Sequence, residues 1–137
     1  MPDVFTPEER SRVMAKVRGQ DTNPEKIVRS LIHRMGYRFR LHVKDLPGKP
    51  DIVLPRHRKV VFVHGCFWHQ HPGCEHAARP GSNTEYWNKK LDRNVMRDRE
   101  HLERLLYLGW KVLIVWECEL KDLDQLVEKL RRFLSDE

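Results

Sequence analysis

Apolar residues recur every three to four positions in one early segment and predict a helix there. The stretch PEKIVRSLIHRM places one apolar face on that helix, made of Ile27, Val28, Leu31, Ile32 and Met35. Asn23 is suited to cap the first turn, and Gly36 is suited to end the helix. A preceding helix is predicted over TPEERSRVMAKV, residues 6–17, where Thr6 and Glu9 form a capping box.

After Gly36 the spacing of apolar residues shortens to two. Residues 37–44 alternate Tyr, Phe, Leu and Val with Arg, Arg, His and Lys, which predicts a strand with one solvated, basic face. Two shorter strands are predicted at DIVL, residues 51–54, and at KVVFVH, residues 59–64. The intervening PRHR suits a turn between antiparallel neighbours.

The second half of the chain predicts a helix, a strand and a helix. The long helix begins near residues 82–84 and ends at Gly109, and WKVLIVW then predicts a strand covered on both faces. A right-handed crossover would place that strand parallel to residues 59–64. A last helix is predicted over residues 123–134. The predicted order is α-α-β-β-β-α-β-α, an α/β fold with a mixed sheet in a single domain spanning residues 1–137.

Composition narrows the class of partner. Apolar residues make up 39% of the 137 residues and charged residues 34%, with a net charge of +6, which favours a polyanionic partner such as nucleic acid. No apolar run approaches the roughly 18 residues of a membrane span, and the first residues lack the apolar centre of a signal peptide. A cytoplasmic protein is therefore expected. Three cysteines without an export signal favour metal ligation or buried thiols over disulfides.

The stretch HGCFWHQHPGC contains candidate metal ligands. Cys66, His71 and Cys74 lie within nine residues of one another, and Cys118 follows the last predicted strand, which would bring it beside this loop. Three thiolates and one imidazole suit a closed, structural Zn²⁺ site. Spacing alone leaves His69 or His76 open as the fourth ligand. It also leaves open that Cys118 is simply buried and that the loop histidines are solvated.

A second group of polar residues suits catalysis. Asp51 begins a strand, and a carboxylate at the mouth of a sheet is placed to hold Mg²⁺, which prefers one or two carboxylates with water and phosphate oxygens. The next strand delivers His64 to the same end of the sheet, and His69 follows in the loop. A metal ion with a neutral histidine is a workable set for hydrolysing a phosphodiester.

Five motifs together resemble one family. They are TNPEK, LPGKPDIVL, VFVHGCFWHQHPGC, TEYWNKKLDRNVMRDRE and LGWKVLIVWECEL, and they resemble, in this order, the very-short-patch mismatch repair endonucleases. The resemblance implies a restriction-endonuclease-like fold, a mixed central sheet flanked by helices, with a structural zinc. It also implies a Mg²⁺-dependent enzyme that nicks one strand of double-stranded DNA beside a T:G mismatch left by deamination of 5-methylcytosine.

The resemblance implies roles for five catalytic residues. Asp51 would bind the metal, His69 would be the general base and His64 would assist at the phosphate. Glu25 would hold water of the metal from the start of its helix, and Asp98 would orient a catalytic histidine.

Two departures from the wider pattern concern the metal sites. The strand that usually carries an acidic residue and a lysine has neither here, so the catalytic metal would take the backbone carbonyl of Val63. Two residues, Pro72 and Gly73, separate His71 from Cys74 where some relatives have one, which slightly enlarges the zinc loop.

The resemblance also implies DNA contacts. Phe67 and Trp68, with Trp87, would wedge into the base stack beside the mismatch, where a mispaired step is cheapest to open. Phosphate contacts are expected from Lys89, Lys90 and Arg93 on the long helix. An N-terminal helix within residues 1–20, which includes Met14, is expected to contact DNA from the opposite groove and to be flexible without it.

Two other functions compete with the mismatch endonuclease. One is a zinc-stabilised nucleic-acid-binding module without catalysis, and the other is a related nuclease with a different target. Asp51, His64 and His69 favour an enzyme over a binding module, because a pure binder does not need them. A monomer is expected, with mismatch-repair accessory proteins as further partners.

Overall fold

Helices and strands alternate along residues 23–136, which are the residues described by this computed structural model. Their bounds are α1 Pro24–Arg34, β1 Ile52–Leu54, β2 Lys59–His64, α2 Thr84–Tyr107, β3 Lys111–Trp116 and α3 Leu123–Ser135. Each was predicted from the sequence within a few residues. The helix predicted over residues 6–17, with Met14, lies outside the described residues.

The three strands form one mixed sheet in the order β1-β2-β3. β1 pairs with β2 antiparallel, with Ile52 opposite Val61, and β2 pairs with β3 parallel, with His64 opposite Trp116. Both pairings confirm the prediction. The parallel pairing matters for function, because it brings the residues after β2 and after β3 to the same end of the sheet.

Helices cover both faces of this sheet. α1 and α3 pack on the face that carries Ile52, Leu54, Val61 and Val115. The opposite face carries Val53, Val60 and Phe62 and packs against Leu105 of α2. Alternate strand residues point to opposite faces, so each strand serves both cores. This three-layer arrangement confirms the predicted α/β class with a mixed sheet flanked by helices.

The strand predicted over residues 37–44 is wrong. Side chains alternate as expected, with Tyr37 and Phe39 half-buried between exposed basic residues, yet the only strand-type pairing in this described segment is one bridge between Arg40 and Val53. A longer ladder is prevented by the backbone of His42, which adopts a left-handed conformation with φ of 59°. The short β1, of only three residues, also offers little to pair with.

β3 is less buried than its apolar sequence predicts. Val115 alone among its six residues is buried, and the other five are half-buried. The strand lies at an edge of the three-stranded sheet, so the sheet shields it from one side only. Both faces are nevertheless covered, as predicted, because Leu113 and Val115 pack in one core and Val112 and Ile114 pack against the other.

Two helix ends are fixed by specific contacts. The Asn23 side chain accepts a hydrogen bond from the Lys26 N–H at 3.3 Å, as the predicted cap requires. At the other end of the chain, the buried Lys59 ammonium donates to the carbonyls of Phe133 and Leu134 in the last turn of α3. No helix between residues 23 and 136 has the length and apolarity needed to cross a membrane.

Candidate active site

A cleft of about 620 Å³ opens at the end of the sheet where β1 begins and β2 ends. One wall is the loop before β1, which contributes Lys49 and Asp51. The floor is the last part of β2, with Val63 and His64, and the opposite wall is α2. His69 enters from the loop after β2. The cleft thus collects side chains from four separate parts of the chain.

Asp51 lies half-buried at the base of this cleft. The Val63 N–H donates to its Oδ2 at 2.6 Å, which fixes the carboxylate against β2. Burial raises the pKa of Asp51, a negative Glu25 raises it further, and the Val63 hydrogen bond opposes the rise. Glu25, in the first turn of α1, therefore lies close enough to act on Asp51.

His69 and Asp98 form a hydrogen-bonded pair. Nδ1 of His69 is 2.7 Å from Oδ2 of Asp98, and both side chains are between a quarter and a third exposed. A carboxylate accepts only, so the proton of a neutral His69 lies on Nδ1 and Nε2 is left as the basic nitrogen. Sequence similarity suggested that Asp98 orients a histidine, and the structure brings it to His69.

His64 lies beneath His69 in a nearly apolar environment. The two imidazole rings stack with centroids 3.7 Å apart, and Phe62 and Trp116 also border the His64 ring. His64 is only 7% exposed. Burial, with repulsion from His69, lowers the pKa of His64 to about 4, and the charge of Asp98 opposes this. His64 is thus a neutral imidazole at neutral pH.

The four predicted zinc ligands also meet. One ligand atom from each of Cys66, His71, Cys74 and Cys118 lies within 4.8 Å of all the others, and Cys118 Sγ is 3.4 Å from His71 Nδ1. Burial, followed by the neighbouring thiols Cys66 and Cys74, raises the pKa of Cys118 to about 12. This donor set fits Zn²⁺, since a divalent cation would relieve the cost of gathering three thiolates.

The identity of the histidine in this cluster is clear from the geometry. His71 stacks on Trp116 with ring centroids 4.2 Å apart, which orients Nδ1 toward the thiols. His69 is hydrogen-bonded to Asp98, and Nε2 of the exposed His76 lies 3.2 Å from Nζ of Lys121. Of the alternatives left open by spacing, the arrangement brings only His71 into the cluster.

Phe67, Trp68 and Trp87 form an aromatic cluster, and Asn94 links this cluster to the cleft by donating a hydrogen bond to the Trp68 carbonyl. Phe67 and Trp68 are on the loop after β2, Trp87 is on α2, and each pair of rings has centroids between 5.2 and 6.0 Å apart. Phe67 is half-buried, whereas Trp68 is 48% exposed. The structure therefore places the predicted aromatic residues on one partly exposed surface.

The predicted phosphate-binding residues lie on the same helix as Trp87. Lys90 Nζ is 5.5 Å from the centroid of Trp68, close to the aromatic cluster. Lys89 is exposed and approaches Glu85 at 3.9 Å, and Arg93 is exposed on the next turn. All three remain open to a ligand.

Several polar residues of the cleft wall were not predicted from the sequence, and three of them lie beside Asp98 on α2. Asn94, Arg97 and His101 line the cleft together with Asp98. Their spacing of three, four and seven residues places them on one face of α2. Once Asp98 is suspected, this spacing is the signal that could have identified them.

The fold of the described residues agrees with the restriction-endonuclease-like fold predicted from the sequence. The solved catalytic domain of homing endonuclease I-Bth0305I has a similar fold, with a TM-score of 0.52 at 20% identity, covering 82% of this chain and 94% of that domain.

The chain belongs to the DNA mismatch endonuclease Vsr family, whose family model matches residues 2–76. It is 52% identical over 135 residues to "Type II nicking enzyme V.XorIIP" of Xanthomonas oryzae pv. oryzae, with 98% of each chain covered. It is 43% identical over 129 residues to "DNA mismatch endonuclease Vsr" of Escherichia coli, with 94% of this chain and 82% of the relative covered. The predicted family and the predicted endonuclease activity are confirmed, and a non-catalytic binding module is excluded.

Proposed function

We propose that this endonuclease nicks one strand of duplex DNA beside a T:G mismatch in the recognition site of a cytosine methyltransferase. The observation that supports this proposal is that Asp51 and the His69–Asp98 pair share one cleft, and that Trp68 of the aromatic cluster directly precedes His69 in the chain. A mispaired step costs least to unstack, so rings beside the cleft favour cutting there. The substrate is cellular DNA, and the enzyme acts in the cytoplasm as a monomer.

His69 acts as the general base in this proposal. Asp98 holds the proton on Nδ1, so Nε2 accepts a proton from the attacking water as the water oxygen bonds to phosphorus. One phosphorus–oxygen ester bond breaks, and the leaving sugar oxygen keeps the electron pair and takes up a proton from solvent. His64 supports the imidazole of His69 by stacking. Since His64 is neutral near pH 7, it assists at the phosphate by hydrogen bonding rather than by positive charge.

Asp51 is the proposed ligand of the catalytic Mg²⁺, with Glu25 as a second carboxylate nearby. The Val63 N–H points toward Asp51, and the carbonyl of an extended residue points to the same side as its N–H, so the Val63 carbonyl is suited to join. A buried carboxylate with a raised pKa fits a cation, which would remove the cost of its charge. Bound there, Mg²⁺ would supply neutralisation of phosphate charge.

The remaining contacts follow from charge and from the zinc cluster. Zn²⁺ on Cys66, His71, Cys74 and Cys118 is structural, because all four positions of a tetrahedral site are filled. Lys89, Lys90 and Arg93 bind phosphates of the duplex, so affinity falls with added salt. Met14 is proposed to contact DNA with the N-terminal segment, and accessory mismatch-repair proteins remain proposed partners.

The experiment compares strand cutting in two duplexes with Mg²⁺ present, one with a T:G mismatch and one fully paired, across a panel of methyltransferase sites. We expect one nick, in the mismatched duplex only. Asp51→Asn should abolish nicking, while Asp45→Asn, an exposed carboxylate in the same loop, should not. Equal cutting of both duplexes, or activity retained in Asp51→Asn, would contradict the proposal.

A further inference from the structure

The guanidinium of Arg79 links the loop after β2 to helix α2, because each of its three nitrogens donates a hydrogen bond. Its Nε donates to Oε1 of Gln70 at 2.9 Å, in the loop. The other two nitrogens donate to α2, to Oδ1 of Asn88 and to Oδ1 of Asp92, each at 2.8 Å. Asn88 and Asp92 are four residues apart and so present both acceptors on one helix face. The planar fork of arginine is suited to hold three acceptors at once.

Gln70 transmits this contact to the backbone beneath the aromatic residues. Its side-chain amide donates to the carbonyl of Phe67 at 2.7 Å and to the carbonyl of Ala77 at 3.0 Å. Its own backbone is left-handed, with φ of 51°, a conformation that a non-glycine residue adopts only when its surroundings hold it. Arg79 occupies the remaining acceptor of this amide and thereby fixes its orientation.

Trp68 is held from α2 in the same way. The Asn94 side chain donates to the Trp68 carbonyl at 3.1 Å. Both aromatic residues of the loop therefore have their carbonyls bound by a side-chain amide, and each amide is in α2 or linked to it. Trp87, the third ring of the aromatic cluster, belongs to α2 itself.

We infer that Arg79 is a positioning residue that presets the aromatic cluster for entry into the base stack, an inference that rests on the proposed function. Unstacking a base step costs free energy, and rings that are already ordered enter the stack without the further cost of losing their own freedom. By fixing the loop to α2, Arg79 holds Phe67 and Trp68 in register with Trp87 before DNA arrives. It acts through the loop backbone, so it needs no contact with DNA.

If Arg79 acted only through its positive charge, the expected result for Asp92→Ala would be the opposite. Removing Arg79 would lower both the positive charge and the order of the loop. A defect in Arg79→Ala therefore does not distinguish the two roles. Removing its partner Asp92 makes the protein more positive, which on charge alone strengthens binding to DNA. If the contact presets the loop, Asp92→Ala must instead impair unstacking.

The test uses a T:G duplex that carries 2-aminopurine at the step beside the mismatch, whose fluorescence rises when the base unstacks. With saturating protein and no Mg²⁺, we expect a smaller rise for both Arg79→Ala and Asp92→Ala than for the wild type. With Mg²⁺, single-turnover nicking should fall about tenfold, the size expected for losing a charge-assisted contact. Arg79→Lys, which lacks the fork, should recover only part of the loss.

Controls separate the possible outcomes. Arg99→Ala removes an exposed charge from the same helix outside the cleft lining and should keep the full fluorescence rise. Zinc content should match the wild type in every variant. If Trp68→Ala abolishes the fluorescence rise but Arg79→Ala or Asp92→Ala leaves it undiminished, the positioning role of Arg79 is wrong and the proposed wedge is not affected. A full rise in Trp68→Ala overturns the proposed wedge, and the role of Arg79 with it.

Discussion

Protonation of His64 should destabilise the folded protein as the pH falls below neutrality. His64 is 7% exposed, and its ring is covered by His69, Phe62 and Trp116. Burial and His69 lower its pKa from 6.5 to about 4 in the folded state, although the negative Asp98 opposes the change. Between these two pH values the unfolded chain binds a proton that the folded chain does not, so stability is full above 6.5 and is lost toward 4.

The size of the effect follows from the two pKa values. Lowering a pKa from 6.5 to about 4 corresponds to roughly 3 kcal/mol once the pH lies below both values. More than half of this stability is lost before the pH falls to about 5. Between about pH 7.5 and about pH 5, linkage predicts that His64 reduces the free energy of unfolding by about 2 kcal/mol. A cost of this size is a substantial share of the stability of a small domain.

Urea unfolding, followed by tryptophan fluorescence at several pH values in this range, measures the effect. His64→Gln cannot take up a proton, so its free energy of unfolding should fall with pH by about 2 kcal/mol less than that of the wild type. Its absolute stability can differ, because the comparison uses only the slope. Zinc content is checked at each pH so that loss of the metal is not mistaken for protonation of His64. Parallel slopes for the two proteins would refute the reasoning.

Three further variants test the metal and catalytic residues. Cys118→Ser should lose zinc and stability together, because metal-binding energy is folding energy in such sites; a full equivalent of zinc in the variant would show the ligand set to be wrong. Asp98→Asn should slow single-turnover nicking at least about 100-fold, and no less than Asp98→Ala, because an amide N–H favours the proton on the wrong nitrogen of His69. Equal rates in Asp98→Asn and wild type would remove Asp98 from the mechanism. Burial raises the pKa of Asp51, so its carboxylate opposes folding above that pKa; without Mg²⁺ at neutral pH, Asp51→Asn should unfold at higher urea than the wild type, and a lower midpoint would contradict this.

Periodicity predicted the helices and strands of the described fold and failed for one extended segment. The apolar repeats identified α1 and α3 and the short β1 and β2, because each repeat matches a face that the core buries. The alternation of apolar and polar residues over 37–44, however, wrongly predicted a strand. Alternating burial needs only an extended chain lying on the core, whereas a strand also needs consecutive backbone partners, which a left-handed His42 prevents.

The Cys/His cluster proposed to bind zinc was accessible from sequence because three of its four members are rare residue types close together in the chain. Its distant member, Cys118, required only one tertiary inference, the parallel pairing of β2 with β3. For Asn94, Arg97 and His101 the sequence offered a weaker signal, their spacing from Asp98 along one helix. Polar residues on a long, charged helix are ordinarily solvated, and only the position of α2 against the sheet shows which of its faces borders a cleft.

The contact made by Arg79 was likewise hidden, since it joins three residues with no shared motif. The position of this contact in the fold explains how the site can have both a desolvated centre and accessible aromatic rings. Asp51 and His64 are desolvated, so their charged forms are disfavoured and the cleft favours a ligand that brings its own compensating charge. The rings proposed to select the mismatch must instead stay accessible to DNA. In the proposed arrangement, polar side chains that fix the loop to α2 keep the rings ordered without burying them, and the desolvated centre is left for the phosphate and its cation.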